Sequence, residues 1–483
     1  MAYKHEPTPP EAFLTPEPPE RIIGIETEYD VRRPDGSFDG GWQRSLLAKN
    51  VLSHSGLVAF SSDNNAWLSN GSYIYPDASH LEYCTPESLG PAESVAAAHA
   101  GNLVLQRLVQ VSSNSYKIFR RSATVDAQTG DIVTKGYHLN LGTPDAFCDP
   151  TIVMPLESHL ATQLYAWGGL VTKRGYCISP KAVDIGEHIT TITLANRTGQ
   201  GKKPFGIIRP SKNDADTNVR NFGYGRFEDR TKTPSTKWSD FMGAVTTSIL
   251  MRVIENPALL PERKQLQSLQ LSNSVRTLRE VAFDVPMSKT FALADGRTMS
   301  ALDIQEALAG IGMAATEKLS LPADEIYGAR QWQKIIGELR QVQRGEASLS
   351  IVADRVGWAG KYTYLSRKLG QAAVEVGSFD ALRYCLTWDM VVPTGAGQLY
   401  DDKKGPDFIP EEVIQRLTTE APKGTRANAR AEYIKQGGTA ASELNFVGWP
   451  YIFLCQGEDV RKVTLHPYDS RRPKLGRRYG HKW

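Results

Sequence analysis

The chain has 483 residues, with 56 Lys and Arg against 53 Asp and Glu, a formal net charge of +3. So even a balance leaves no overall field to recruit nucleic acid or a membrane, and any basic partner surface must be local. Hydrophobic residues make up 41%, enough for a sizeable core, and the length exceeds what one core usually fills, so at least two domains are expected.

Targeting and redox signals predict a cytoplasmic protein. No apolar run approaches the roughly 18 residues of a membrane span, and no signal-peptide core opens the sequence. The five cysteines, Cys84, Cys148, Cys177, Cys385 and Cys455, are scattered without a C-x-x-C pair. That usage suits packed free thiols in a reducing cytoplasm, the expected location.

Residues 1–20 hold six prolines and little that packs, which predicts a disordered or clamp-like tail. Arg21 to Tyr29 then alternates, with Ile23, Ile25 and Thr27 on one strand face and Gly24, Glu26 and Glu28 on the other. Residues two apart on a strand lie roughly 6.5 to 7 Å apart. Two carboxylates held so closely repel each other unless a cation neutralises them, and an oxygen-rich set suits Mg²⁺ or Mn²⁺ rather than zinc. A strand with a charged, wet face is the alternative for this spacing taken alone.

Asn70 to Glu87, NGSYIYPDASHLEYCTPE, reads as strand, turn, strand. Tyr73, Tyr75 and Asp77 share one face, and Asp77 falls at the strand end beside the turn. His80, Glu82 and Glu87 follow within ten residues as further metal or proton-transfer groups. Any one of them alone reads as a solvated side chain; four on a Tyr-rich strand read as a site.

Pro91 to Val109 predicts a helix, with Pro and Glu in its first turn. Tyr137 to Leu141 alternates again, putting His138 and Asn140 on one face and Tyr137, Leu139 and Leu141 on the other. Thr198 to Thr236 is rich in Gly, Lys, Asn, Asp and Arg and predicts long loops, commonly a binding feature in a compact enzyme. Helices are predicted at Ser239 to Glu255, N-capped by its Ser, at Ser300 to Leu319 and at Ile326 to Arg344. Gly395 to Pro410 reads as a connection, followed by a helix, short strands and a basic C-terminal tail.

Familiar nucleotide motifs are missing. No G-x-x-x-x-G-K-[ST] occurs, Thr198 to Lys203 lacks the Ser/Thr ligand, and Gly223-Tyr224-Gly225 lacks a third glycine.

Three segments, IIGIETEY, NGSYIYPDASHLEYCTPE and YHLN, resemble the signature strands of the Pup ligase and Pup deamidase/depupylase family, relatives of glutamine synthetase and the carboxylate-amine ligases. Weaker similarity runs through Leu293 to Gln305, Trp388-Asp389, Thr425-Arg426 and Phe446 to Leu454, so the likeness spans residues 21–472. The resemblance implies an α+β fold: a glutamine-synthetase-like curved, mainly antiparallel sheet with helices behind it, plus a small C-terminal domain. It divides the chain into a proline-rich tail over 1–20, a catalytic domain over 21–400, a small domain over 401–475 and a basic tail over 476–483.

The same resemblance implies chemistry. Mg²⁺ ions on Glu26, Glu28, Glu82 and His138 would position ATP, Asn140 would bond nucleotide, and Arg226 would stabilise transferred phosphate charge. A carboxylate is then activated as an acyl phosphate, and Asp77 deprotonates the attacking lysine amine. The implied partners are a small disordered Pup-like tag with a C-terminal glutamate and lysine-bearing target proteins, with no nucleic acid and no membrane. A tag deamidase or depupylase, a ligase for another peptide or small acid, and a non-catalytic scaffold are the alternatives. Leu139, where the family carries an acidic residue, and Ile207 to Asp216, which matches its Arg- and His-containing loop only loosely, are departures.

Overall fold

The structure is a computed structural model. It describes residues 20–33, 60–62, 65–77, 80–111, 116–120, 123–125, 132–144, 147, 150–182, 208–211, 224–437, 444–447, 451–456 and 459–464. The proline-rich residues 1–19 and the basic tail 476–483 fall outside this set.

An eleven-stranded sheet organises the chain. Five strands matter for function: β1 (Ile22–Arg32), β2 (Tyr73–Asp77), β3 (His80–Cys84), β4 (Tyr137–Pro144) and β5 (Tyr224–Asp229). Their spatial order is β5-β4-β1-β3-β2, and every neighbouring pair is antiparallel. Short strands at 65–67 and 60–62 extend the β2 edge, and the strand at 208–211 extends the β5 edge. This is the antiparallel sheet with helices behind it that the sequence predicts.

Period-2 alternation gives β1 its two faces. Ile23, Ile25, Thr27 and Tyr29 are buried at the rear, while Gly24, Glu26 and Glu28 are only partly covered at the front. Helix α1 (Gly90–Val111) covers the rear. Its Ala92, Val95 and Ala96 pack with Ile23, Ile25 and Leu139, and the Tyr29 hydroxyl donates to Asn102 Oδ1 at 2.9 Å. Leu139 is 2% exposed at the rear, so an acidic residue there would be buried in the core and not added to the site.

Helix α2 (Lys237–Glu255) packs beyond α1. Its N-cap is Thr236, whose side chain accepts from Ser239 N–H, and not Ser239 itself as the sequence suggests. At its far end Glu255 takes a two-pronged ion pair from Arg21 at 2.8 and 2.5 Å, tying the entry of β1 to the helix layer. Helices at Ala301–Lys318, capped by the Ser300 and Asp303 box, and Ala323–Gln343 complete that layer as predicted.

Two expectations change. Gly395 to Pro410 is not a plain connection, because Ala396–Lys404 is helical. The segment Thr198 to Thr236 is not only loop, since strands Ile208–Ser211 and Tyr224–Asp229 pair within it. No described helix is long and apolar enough to cross a membrane.

After the Glu411–Leu417 helix, α3 (Arg426–Gly437) leads to three antiparallel strands at 444–447, 451–456 and 459–464. Glu87, read from sequence as a site group, is instead the anchor of α3. Its carboxylate meets Arg426 Nε at 2.6 Å and Arg430 Nη2 at 2.5 Å, and the Arg430 guanidinium lies over the Trp67 ring at 4.7 Å. Arg430 also donates to Gly71 O at 2.9 Å. Gly71 sits at φ +80°, and a side chain there would come within 2.8 Å of Ala427 O, so only glycine lets the turn reach α3.

Burial alone would raise the pKa of Glu87, but the charges of Arg430 and Arg426 and their hydrogen bonds outweigh it and lower the group from 4.5 to about 2. A depressed carboxylate stabilises the fold above its unfolded pKa and loses that contribution as pH falls through the folded value. Glu87→Gln should therefore cost on the order of 3 kcal/mol at pH 7 and flatten the stability profile between pH 4.5 and about 2. Urea unfolding at several pH values checks this; parallel profiles for parent and variant would contradict it.

Candidate active site

Register brings the front-face groups together. Glu28 stands opposite Glu82, Glu82 opposite Tyr75, and His80 opposite Asp77 across β1, β3 and β2. On the other flank Glu26 stands opposite His138, Asn140 opposite Glu228, and Gly142 opposite Arg226 across β1, β4 and β5. Apart from Glu87, every residue predicted from sequence as catalytic, metal-binding or nucleotide-binding therefore lies on one face of five consecutive strands.

Each carboxylate has a defined partner. Glu26 Oε2 lies 3.1 Å from His138 Nδ1, and its Oε1 accepts from Arg226 Nη1 at 3.3 Å. Glu28 Oε2 lies 3.1 Å from His80 Nδ1. Gly136 passes so close that a Cβ there would fall 2.6 Å from Glu28 Oε1. Glu82 Oε2 accepts from the Tyr75 hydroxyl at 2.6 Å, and Tyr75 in turn stacks on Tyr73, with ring centroids 5.1 Å apart.

Glu228 is the residue that sequence reasoning missed. It is 1% exposed, accepts from Arg230 Nε at 2.6 Å, and lies 3.4 Å from His138 Nδ1 and 3.6 Å from Arg226 Nη2. The signal was present in the alternation of Tyr224-Gly225-Arg226-Phe227-Glu228-Asp229, in which Phe227 is buried at the rear and Arg226 and Glu228 face forward. Arg226 is thus a strand residue and not a loop residue. Tyr75 and His80 lay in the predicted motif without an assigned partner; their partners prove to be Glu82 and Glu28.

Electrostatics sets the front-face carboxylates apart from one another. Burial would raise Glu28, yet the hydrogen bond and charge of His80 hold it well below the ordinary carboxylate range. Burial likewise opposes ionisation of Glu26, and the His138 hydrogen bond and Arg226 charge win. Glu82 goes the other way: burial first, then the charge of Glu26, push it well above the ordinary range despite the Tyr75 hydrogen bond. Asp77, exposed at the end of β2, is raised by burial of its inner side and by Glu28.

Among the described residues three groups offer ligand atoms within 4.8 Å of one another: Glu26, His138 and Glu228; Glu28, Asp77 and Glu82; and Glu26, Glu82 and Cys84. The second is all carboxylate, a donor set for a hard cation such as Mg²⁺, and the first adds one imidazole. Asn140 Oδ1 is buried without a hydrogen-bond partner beside the first cluster, an acceptor that a bound group would satisfy. These residues fit the predicted divalent metal. Because Asp77 belongs to the second cluster, a metal-ligand role competes with the base role read from sequence.

The fold and the site together define an antiparallel-sheet protein with an acidic, metal-competent front face. The chain belongs to the Pup-ligase family, whose sequence model, described as Pup-ligase protein, matches residues 21–452. A Pup–protein ligase of Acidimicrobium ferrooxidans is 24% identical over 95% of this chain and 98% of its own length. That of Geodermatophilus obscurus is 25% identical over 94% and 98%. Among solved structures, the Pup ligase PafA in complex with Pup superposes with a TM-score of 0.76 at 22% identity, covering 96% of this chain and 91% of that one. PafA in complex with ADP gives 0.69 at 20% identity, covering 90% and 92%.

If Glu228 completes the imidazole-bearing cluster, Glu228→Gln should weaken Mn²⁺ binding by about tenfold or more, the worth of a lost charged contact, and leave the fold intact. Electron paramagnetic resonance of free Mn²⁺ during titration measures this. Parental affinity in a folded variant would remove Glu228 from the site.

Proposed function

We propose that this protein is an ATP-dependent carboxylate-amine ligase that joins the C-terminal glutamate side chain of a Pup tag to lysines of target proteins through an acyl phosphate. The observation that carries the reading is the pair of metal-competent clusters on one sheet face in a chain that matches Pup–protein ligases over nearly its whole length. The naming of those relatives supports ligase over the hydrolase alternative. The PafA complexes with Pup and with ADP support a tag and a nucleotide as ligands for this chain too.

In this reading Glu26, Glu28, Glu82, His138 and Glu228 hold magnesium, which when bound offsets the phosphate charge of ATP during phosphoryl transfer. Tyr75 fixes the Glu82 carboxylate, His80 fixes Glu28, and His138 is oriented between Glu26 and Glu228. Arg226, reaching over Glu26 and Glu228 from β5, supplies positive charge for a transferred phosphate, and Asn140 bonds nucleotide. Asp77 stands exposed at the turn end of the β2–β3 hairpin, where an incoming lysine amine would arrive. Its raised pKa improves it as an acceptor of the amine proton.

Incubation with ATP, Mg²⁺ and Pup, followed by mass spectrometry, separates the readings. A tag-sized mass gain on a target lysine is the expected result; conversion of a tag glutamine to glutamate without ligation would make the protein a deamidase. Asp77→Asn should retain nucleotide affinity and lose product formation by a factor on the order of 10² to 10⁴. That loss should ease as pH approaches the lysine pKa of about 10.4. Single-turnover rates across pH decide the role, and a variant that instead loses metal or nucleotide binding would make Asp77 a ligand.

A further inference from the structure

A cavity of about 570 Å³ opens among the helices behind the sheet, and none of the front-face groups lines it. Its walls come from α1, from Lys237 at the start of α2, and from the chain between Gln398 and Ile414. Small-molecule sites usually enclose roughly 300 to 1,000 Å³. One wall is apolar, formed by Leu103, Ile409 and Ile414, and the exposed carboxylates of Asp402, Asp407 and Glu411 stand at the mouth. Glu411 meets Lys237 Nζ at 3.6 Å, whereas Asp402 and Asp407 make no ion pair among the described residues.

The buried end of the cavity lacks a donor. His99 is 6% exposed, and its Nε2 lies 3.0 Å from Asp240 Oδ2. Burial and the Arg120 charge push this imidazole down to about 4, so it is neutral near pH 7 and keeps its one proton on the nitrogen facing the Asp240 carboxylate. Nδ1 is then a bare acceptor. It makes no hydrogen bond, and it faces another acceptor, Asp401 Oδ2, at 3.8 Å. The Asp401 carboxylate takes the Lys237 backbone N–H at 2.9 and 3.1 Å. Two buried acceptors facing each other with no donor between them are an unmet demand for one, and an ammonium nitrogen placed between them reaches both at ordinary hydrogen-bond distance. Burial also pushes Asp401 up to about 7 against the pull of Lys237, so a cation at this point favours its charged form.

We propose that this cavity binds a small aliphatic diamine, with one ammonium between His99 Nδ1 and Asp401, the methylene chain along Leu103, Ile409 and Ile414, and the second ammonium among the carboxylates at the mouth. An ammonium brings three donors and no acceptor, which matches a lining of four carboxylates and a bare imidazole nitrogen against one lysine. The apolar wall selects a carbon chain over a hydrated metal ion, and among the described residues no metal-holding group falls here. Binding is non-covalent and does not depend on the ligase reading.

Calorimetric titration of the full chain with 1,5-diaminopentane, without ATP or tag, tests this, with pentylamine and 1,5-pentanediol as comparators. One diamine should bind per chain, about tenfold or more tighter than pentylamine, the worth of a charged hydrogen bond, and the diol should not bind. Asp402→Asn combined with Asp407→Asn changes only exposed side chains, so this variant should melt with the parent and bind the diamine about threefold or more weakly. His99→Leu removes the acceptor at the buried end and should lower affinity about tenfold or more; if it does not fold, the pentylamine comparison tests the same end. No binding by the parent, equal affinity for pentylamine, or parental affinity in the folded variant at the mouth, which would place the diamine on the acidic front face, overturns the site.

Discussion

Mutual repulsion of carboxylates on the front of β1 and β3 is the constraint on which the rest of the structure depends. Glu26, Glu28 and Glu82 stand on two adjacent strands, with Glu28 and Glu82 directly opposite. Left to relax, they would turn apart toward water. His80, His138, Arg226 and Tyr75 hold them in place. Those partners ionise Glu26 and Glu28 but not Glu82, which burial and Glu26 keep reluctant to ionise. In the proposed reading a divalent cation would supply further countercharge, and relief of the repulsion between like charges would then contribute to its binding.

Such crowding requires a rigid support. The rear of the sheet is a dry surface of Ile23, Ile25, Leu139, Leu141 and Phe227 against the α1 and α2 layer, which fixes the pleat and therefore the direction of every front-face side chain. Arg21–Glu255 clamps one end of β1 to that layer. At the hairpin edge, the Glu87 pair with Arg426 and Arg430 joins the strands that carry Tyr75 and Glu82 to α3 and the C-terminal strands beyond it. The aromatic row of Trp67, Tyr73 and Tyr75 runs from the cation over Trp67 to the hydroxyl on Glu82, so packing at α3 continues directly into the site.

What the sequence disclosed follows from which forces are local. Alternation in β1, β2 and β4 was legible because a strand with one dry and one wet face leaves a period of two, and that placed Glu26, Glu28, Asp77, His138 and Asn140 correctly on one surface. Helix ends were legible to within a residue or two where a capping residue signals them, as at Ser300. Glu228 was hidden because the polar composition around it reads as loop, and only pairing with β4 makes Tyr224–Asp229 a strand. Glu87 was misread for the converse reason: a carboxylate inside a site motif looks functional until its partners, two arginines far downstream, are placed beside it. Tyr75 was seen on the right face, but nothing local shows that its hydroxyl ends on Glu82.

The central claim is that the front-face carboxylates are arranged for a divalent cation they do not themselves supply. Its most direct measure is the melting temperature of the nucleotide-free protein, first in chelator and then in rising Mn²⁺ or Mg²⁺. Selective binding to the folded state should raise stability by about 2.7 kcal/mol at a hundred times the dissociation constant, and Glu26→Gln should abolish most of that rise, while melting somewhat lower than the parent in chelator because it loses the His138 and Arg226 pairings that hold Glu26 ionised. A melting temperature of the parent that is indifferent to metal would mean that the acidic face is a self-satisfied ionic network and would contradict the account.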